Sequence, residues 1–222
     1  MGVNESEVLE GQIVGGLMQH QRGPIMTVDD ALKEKQFLEE FVRRVMKEGV
    51  DYGKIPGCGD KPTLLKPGAE KLNEIYGYAV QLEIMEKTED WRTVPQFFNY
   101  MVKCSLALKR DGSLVAEGVG SCNSMESKYR WRESKRRCPA CGAETIIKGK
   151  EEYGGGWLCH KKQGGCGAKF PDGDQSIEGQ AIGRTENPDI ADQVNTILKM
   201  AKKRALIDAT LSATRSSELF TQ

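Results

Sequence analysis

The sequence predicts an α+β protein in which an antiparallel three-stranded meander forms a β-β-β-α core, flanked by helices and interrupted by a cysteine-rich insertion. Three observations lead to this fold class. Apolar and polar residues alternate over residues 79–122, as they do in half-buried strands. Segments with helical periodicity lie on either side of this region. Four cysteines cluster between the predicted sheet and the last predicted helix.

The composition is that of a globular protein and indicates no partner by itself. The chain has 222 residues, 38% of them hydrophobic and 29% charged, and its formal net charge is zero. No apolar run approaches the about 20 residues that span a bilayer, and no secretory signal pattern is present. The number of cysteines is odd and four have metal-type spacing. We therefore expect a cytoplasmic protein that makes no membrane contact.

The first helix is predicted to begin at Thr27, after an N-terminal arm over residues 1–26 with weak periodicity. Thr27 and Asp30 match a capping box, and apolar residues at helical spacing continue to Met46. Gly49 is the predicted stop. We assign residues 27–137 to this helix and the meander part of the core.

The stretch DYGKIPGCGDKPTLLKPGAEKL, residues 51–72, is rich in glycine and lysine and raises the question of phosphate binding. It lacks the G-x4-G-K-[ST] order of a Walker loop, and Pro62 removes a backbone N–H directly after Lys61. It is therefore predicted to be a rigid connector into a short helix over residues 68–77, and no bound nucleotide is expected. Three of its lysines are candidates for contact with a nucleic-acid backbone: Lys54, Lys61 and Lys66.

The three strands of the meander follow from the alternation of residue types. Val80, Leu82 and Ile84 alternate with polar neighbours, and a longer alternation runs from Phe98 to Leu108. An Asp-Gly pair then predicts a hairpin turn, after which LVAEGVGSC returns as the third strand.

The cysteine-rich insertion, residues 138–170, has the spacing C-x2-C-x17-C-x6-C. Its four cysteines are Cys138, Cys141, Cys159 and Cys166. Four thiolates satisfy a closed tetrahedral zinc site, so we predict a zinc-ribbon-like module with structural Zn2+ and no catalytic role for the metal. A redox C-x-x-C pair is the competing interpretation, but it leaves the second pair unexplained. His160 is an alternative ligand to Cys159.

Two basic groups are candidates for contact with single-stranded nucleic acid, because guanidinium and ammonium groups hold phosphates and aromatic rings stack on bases. Both patterns also occur on ordinary solvated surfaces. The first group lies just before the insertion and contains Lys128, Arg130, Trp131 and Arg132. The second is on the long helix predicted over about residues 188–211, with Asn187 as its cap and Pro188 at its first position, within the C-terminal part of the core, residues 171–222. It contains Lys199, Lys202 and Lys203 on one edge, with Arg204 about 100° further round.

The order of these elements resembles the single-strand annealing superfamily of the eukaryotic Rad-fifty-two recombination mediator and its phage relatives. The similar segments are NEIYGY (73–78), VKCSLALKRDGSLVAEGVGS (102–121) and KMAKKRALIDATLSA (199–213). The resemblance implies a ring or filament that binds single-stranded DNA in a positive groove and pairs complementary strands without ATP. It places Lys203 and Arg204 at the DNA and Lys66 near a further basic position of the family, while Ile207 replaces an arginine.

The function that we expect is therefore ATP-independent binding and annealing of single-stranded DNA in homologous recombination or repair, by a non-enzymatic homo-oligomer of phage-recombinase type. One alternative is a monomeric OB-fold single-strand-binding protein with a zinc ribbon, which requires five strands. A metal-dependent nucleic-acid enzyme is a further alternative. It would need clustered carboxylates, histidines or a phosphate loop, and none of these patterns is evident in the sequence.

Overall fold

The structure is a computed structural model that describes residues 26–56 and 59–222. The chain divides into two compact units, residues 1–44 and residues 45–222. The arm predicted over residues 1–26 lies, except for Met26, outside the described residues.

The first unit contains α1, Val28–Val45. The Thr27 hydroxyl accepts the backbone N–H of Asp30 at 3.2 Å, so Thr27 caps the helix as predicted. The Asp30 carboxylate accepts the Thr27 hydroxyl at 2.7 Å instead of the backbone N–H that a full capping box would use. The helix ends at Val45, before the predicted stop at Gly49. Beyond it, the N–H of Lys47 donates to the side chain of Asp51 at 2.7 Å.

The connector between α1 and the main sheet is held by a small antiparallel pair, β1 (Tyr52–Gly53) and β2 (Thr63–Leu64). It leads into α2, Lys66–Ile75, which begins and ends two residues before the helix predicted over residues 68–77 and has Pro67 in its first turn.

The main sheet consists of β3 (Tyr78–Asp90), β4 (Phe97–Leu108) and β5 (Leu114–Asn123). The strands are antiparallel and paired in that order, which makes β3 and β5 the edges of the sheet. Alternate residues of β4 are buried, as the period-two pattern predicts for a sheet with one covered face. These buried residues are Phe98, Tyr100, Val102, Cys104 and Leu106.

The rest of the chain adds two small sheets and the long C-terminal helix. After α3 (Ser127–Arg130) comes β6 (Trp131–Ser134), and three short strands form their own sheet: β7 (Ile146–Lys148), β8 (Trp157–Cys159) and β9 (Lys169–Phe170). Next come α4 (Gln175–Glu178), β10 (Gly183–Glu186), which pairs with β6, and α5 (Val194–Thr214). A 3-10 turn over Ile190–Gln193 precedes α5, which therefore starts later than Pro188, the predicted first position.

The helix α5 covers β4 and β5, and two glycines allow it to approach β5 closely. A Cβ on Gly118 would lie 2.2 Å from the backbone nitrogen of Ala209, and one on Gly120 would lie 2.3 Å from that of Ala205. The helix and strand backbones are therefore in direct contact. The helix α2 packs against α5 through a buried polar pair, in which the Asn73 amide donates to the Thr210 hydroxyl at 3.0 Å.

The observed architecture agrees with the predicted class in its mixed α and β content and its antiparallel sheets. Among the described residues, no helix is both long enough and apolar enough to cross a membrane.

Candidate metal centre and basic groove

The four cysteines of the insertion converge on one point. Their sulfur atoms all lie within 4.8 Å of one another, and the sulfurs of Cys138 and Cys166 are 3.7 Å apart, as are those of Cys141 and Cys159. Four sulfurs at about 2.3 Å from a zinc ion form a tetrahedron with edges of about 3.8 Å. The cluster can therefore hold a metal ion, and its dimensions are compatible with zinc.

The surrounding backbone supports thiolate ligands. The sulfur of Cys159 accepts the N–H of Cys166 at 3.3 Å and lies 3.3 Å from the Thr145 hydroxyl. These hydrogen bonds, with that of Thr145 the stronger, hold the pKa of Cys159 below the ordinary range of a thiol. A Cβ on Gly165 would lie 2.5 Å from the same sulfur, so the loop wraps the cluster at a distance that only glycine permits.

His160 is not part of the sulfur cluster. Its Nδ1 is buried and has no hydrogen-bond partner among the described residues. The cluster that could hold a metal ion thus includes Cys159, and His160, the alternative ligand, is not in it.

A separate groove of about 830 Å³ lies between the connector, the edge strand β5 and α5. Its basic lining residues come from three segments that are far apart in the sequence: Lys66, Lys128, and the pair Lys203 and Arg204. No acidic residue is among the described residues that line it. The remainder of the lining is mostly apolar, and it includes Ile55, Leu64, Val119, Met200 and Ile207.

The groove is bordered by one face of α5. Met200, Lys203, Arg204 and Ile207 share this face, at the i, i+3, i+4 and i+7 spacing of a helix. Lys199 and Lys202 do not line the groove, so the basic edge predicted from Lys199, Lys202 and Lys203 contributes only Lys203. Ile207, which replaces an arginine of the annealing superfamily, is part of the apolar lining.

The three candidate lysines of the stretch 51–72 differ in their position relative to the groove. Lys66 lines the groove and pairs with Glu70 at 3.1 Å. Lys61 is exposed and donates to the backbone oxygen of Ser217 at 3.3 Å, and Lys54 is also exposed. Neither Lys54 nor Lys61 is in the lining of the groove.

Of the predicted basic and aromatic residues that follow β5, only one lies in the groove. Lys128 lines the groove, whereas Trp131 begins β6. The Trp131 ring is contacted by the guanidinium groups of Arg130 and Arg184, at 4.9 and 5.1 Å from its centroid. Arg130 also pairs with Glu186 at 2.9 Å, and Arg132 pairs with Asp189 at 2.5 Å. These three predicted residues, Arg130, Trp131 and Arg132, therefore make contacts within the protein, outside the groove.

Glu126 is a site residue that sequence reasoning missed. Its carboxylate accepts two hydrogen bonds from Arg204, at 2.6 and 3.0 Å, and lies 3.4 Å from Lys128. Burial alone would raise the pKa of Glu126, but the hydrogen bonds from Arg204 and Cys122, together with the positive charges of Arg204 and Lys128, outweigh it and lower the pKa to about 2. A single glutamate before a basic run has no sequence signal that connects it to a helix 78 residues away.

Comparison with known proteins gives this chain no family: no family model, no curated protein and no solved structure matches it.

Proposed function

We propose that this protein binds single-stranded DNA in the basic groove and anneals complementary strands without ATP, in homologous recombination or repair. The observation that carries the proposal is the convergence of Lys66, Lys128, Lys203 and Arg204 on one groove without an acidic lining residue. Basic side chains such as these supply affinity for DNA of any sequence, because they neutralise its phosphates. The proposal is also supported by the resemblance to the single-strand annealing superfamily, which places Lys203 and Arg204 at the DNA.

The groove combines its charges with other features that suit a flexible strand. Its apolar residues offer contact area to sugars. A DNA backbone held by the four basic side chains leaves the edges of its nucleobases free to pair with an incoming strand. Annealing of this type requires no catalytic acid or base.

We assign the finer architecture as part of the same proposal. The sheet β3–β5 with α5 is the β-β-β-α annealing core, and residues 138–170 are a zinc ribbon with structural Zn2+. Four thiolates around one ion would stabilise a segment too small for its own core.

The edge strand β3 supports a homo-oligomer. Val80, Leu82 and Ile84 pair with the buried residues Leu106, Cys104 and Val102, so they face the same side of the sheet as α5. They are nevertheless 40–45% exposed, because α5 covers β4 and β5. An apolar strip along an unpaired edge strand is a surface that a second copy of the chain can cover.

The test is binding of a fluorescent oligothymidine to purified protein at low salt. Replacing Lys66, Lys128 and Lys203 together with Gln removes three phosphate contacts, which reduces the slope of log K against log salt by about 2. The matched control replaces three exposed lysines outside the groove with Gln: Lys33, Lys87 and Lys109. We expect this control to bind as the unchanged protein does. Equal losses in both variants, or no binding by the unchanged protein, would contradict the proposal.

The same preparation separates the proposal from its alternatives. Annealing of complementary oligonucleotides without ATP, by particles heavier than a single chain, is the expected result. A monomer that binds single strands but does not pair them would favour the OB-fold alternative. Against that alternative, the largest sheets among the described residues have three strands, whereas an OB-fold has five.

A further inference from the structure

Arg204 is held from one side by two acceptors. Its Nη1 donates to the Glu126 carboxylate at 2.6 Å and to the backbone oxygen of Ser121 at 2.5 Å, and its Nη2 donates to the same carboxylate at 3.0 Å. Both N–H groups of Nη1 and one of Nη2 are therefore in use. Guanidinium has five N–H donors in a fixed plane, so the Nε–H and the second Nη2–H remain.

These two remaining donors form the other bidentate edge of the guanidinium. Among the described residues, no acceptor contacts the Nε of Arg204. The side chain is 35% exposed and lines the groove, whereas Glu126 is 23% exposed and is not among the lining residues. The carboxylate therefore occupies one edge of the guanidinium without lining the groove, and the other edge remains for a ligand.

We infer that Glu126 is a positioning residue that orients Arg204 to bind one phosphate of the nucleic-acid strand through the Nε and Nη2 edge. This inference rests on the proposed function of the groove. Arginine recognises phosphate best in this two-pronged geometry, and a fixed guanidinium loses less side-chain entropy when the phosphate binds. Glu126 thus lowers the net positive charge of the site but increases the affinity of Arg204 for phosphate.

The backbone around Glu126 is rigid enough for this role. The carbonyl oxygen of Glu126 accepts the N–H groups of Tyr129 and Arg130, both at 2.9 Å, at the start of α3. Tyr129 is buried against Cys122 of β5, with 3.8 Å between the phenolic oxygen and the sulfur. The carboxylate is therefore anchored to the sheet that also carries Ser121.

The test is Glu126→Gln, measured by binding of a fluorescent oligothymidine of about 20 nucleotides over a range of salt concentrations. The substitution removes a negative charge, so simple electrostatics predicts tighter binding to a polyanion. The positioning role predicts the opposite sign. We expect binding about fivefold weaker at about 0.1 M salt, and a slope of log K against log salt smaller by about 0.7, which is the loss of one phosphate contact.

Two comparisons isolate the role of Arg204. Lysine has no bidentate edge, so in an Arg204→Lys background Glu126→Gln should not weaken oligonucleotide binding any further. Glu74→Gln is the charge-matched control, because Glu74 is exposed and pairs with Lys109 outside the groove. We expect it to leave binding unchanged or slightly tighter.

Tighter binding by Glu126→Gln, an unchanged salt slope, or the same loss in the Arg204→Lys background would overturn the inference. Should Glu126→Gln fail to fold, as judged by circular dichroism, Glu126→Asp decides the question. It keeps the charge but withdraws the carboxylate by one methylene, so weaker binding is expected and undiminished binding overturns the role. If the unchanged protein does not bind the oligonucleotide, the proposed function fails instead.

Discussion

Asp51 is an acidic residue in a buried position, which is unusual for its type. Its side chain is completely buried, and it accepts hydrogen bonds from the Lys71 ammonium and the backbone N–H of Lys47, each at 2.7 Å. Its backbone oxygen also accepts the N–H of Leu65. One acid therefore joins the segment after α1, the connector and α2.

Replacing Asp51 with Ala should lower the free energy of unfolding by about 2 kcal/mol at neutral pH, because the N–H of Lys47 loses its partner and Lys71 its ion pair. Urea denaturation measures this change. Asp60→Ala, in the exposed part of the same connector, is the control, and we expect a change of about 0.5 kcal/mol or less. Equal costs for the two variants would mean that Asp51 has no special structural role.

The contribution of Asp51 should depend on pH with a defined sign. Burial alone would raise the pKa of Asp51, but the hydrogen bonds from Lys71 and Lys47 outweigh it, so the folded-state pKa is lowered. The resulting stabilisation is present above the unfolded pKa of about 3.9 and is lost as the pH falls through the lowered folded value. The difference between the unchanged protein and Asp51→Ala should therefore shrink below about pH 4.

At the scale of elements, the contact between β5 and α5 places the groove. Three alanines of α5, Ala201, Ala205 and Ala209, are buried at intervals of one turn and face the two glycines of β5. This approach brings Lys203 and Arg204 to the edge of the sheet beside the connector. A larger residue in β5 would push the helix away from the strand.

Gly120→Ala should lower Tm by about 10 °C, since its Cβ would meet helix backbone that cannot move aside. Differential scanning calorimetry measures this shift. Gly53→Ala is the matched control, because the nearest atoms to its added Cβ are 3.8 Å away. A Tm for Gly120→Ala equal to that of Gly53→Ala would show that the helix does not approach β5 this closely.

At the scale of the whole molecule, the cysteine module has a small sheet of its own, apart from the main sheet that α5 covers. The strands β7, β8 and β9 pair only with one another among the described residues. Trp157 of β8 lies under the guanidinium of Arg136, at 4.2 Å from the ring centroid, and donates to Glu178 at 2.8 Å. Its fluorescence is therefore a local probe of the module.

Chelation of the metal should unfold the module and change the Trp157 emission, while the sheet and α5 keep a cooperative thermal transition. Metal analysis of the purified protein should give about one zinc per chain. Cys138→Ser should abolish metal binding, whereas Cys104→Ala, at a buried cysteine of β4, should retain it. Retention of metal by Cys138→Ser, or its loss in Cys104→Ala, would contradict the four-cysteine site.

Local sequence patterns determined a large part of this protein. Three features depend on neighbours a few residues apart and could therefore be predicted from the sequence: the helix cap at Thr27, the alternation along β4 and the cysteine spacing. The predicted boundaries were less exact at the C-terminal end of α1 and at the start of α5, because these depend on turns held by Asp51 and by the 3-10 segment before Val194.

Only the tertiary structure decided which charges act together. Lys66, Lys128 and Lys203 belong to three separate segments, and the close packing of α5 on β5 brings them to one groove while leaving Lys54, Lys61, Lys199 and Lys202 outside it. The pairing of Glu126 with Arg204 spans 78 positions. Periodicity reports which face of an element is apolar, but it carries no information about which distant side chain comes within hydrogen-bonding distance.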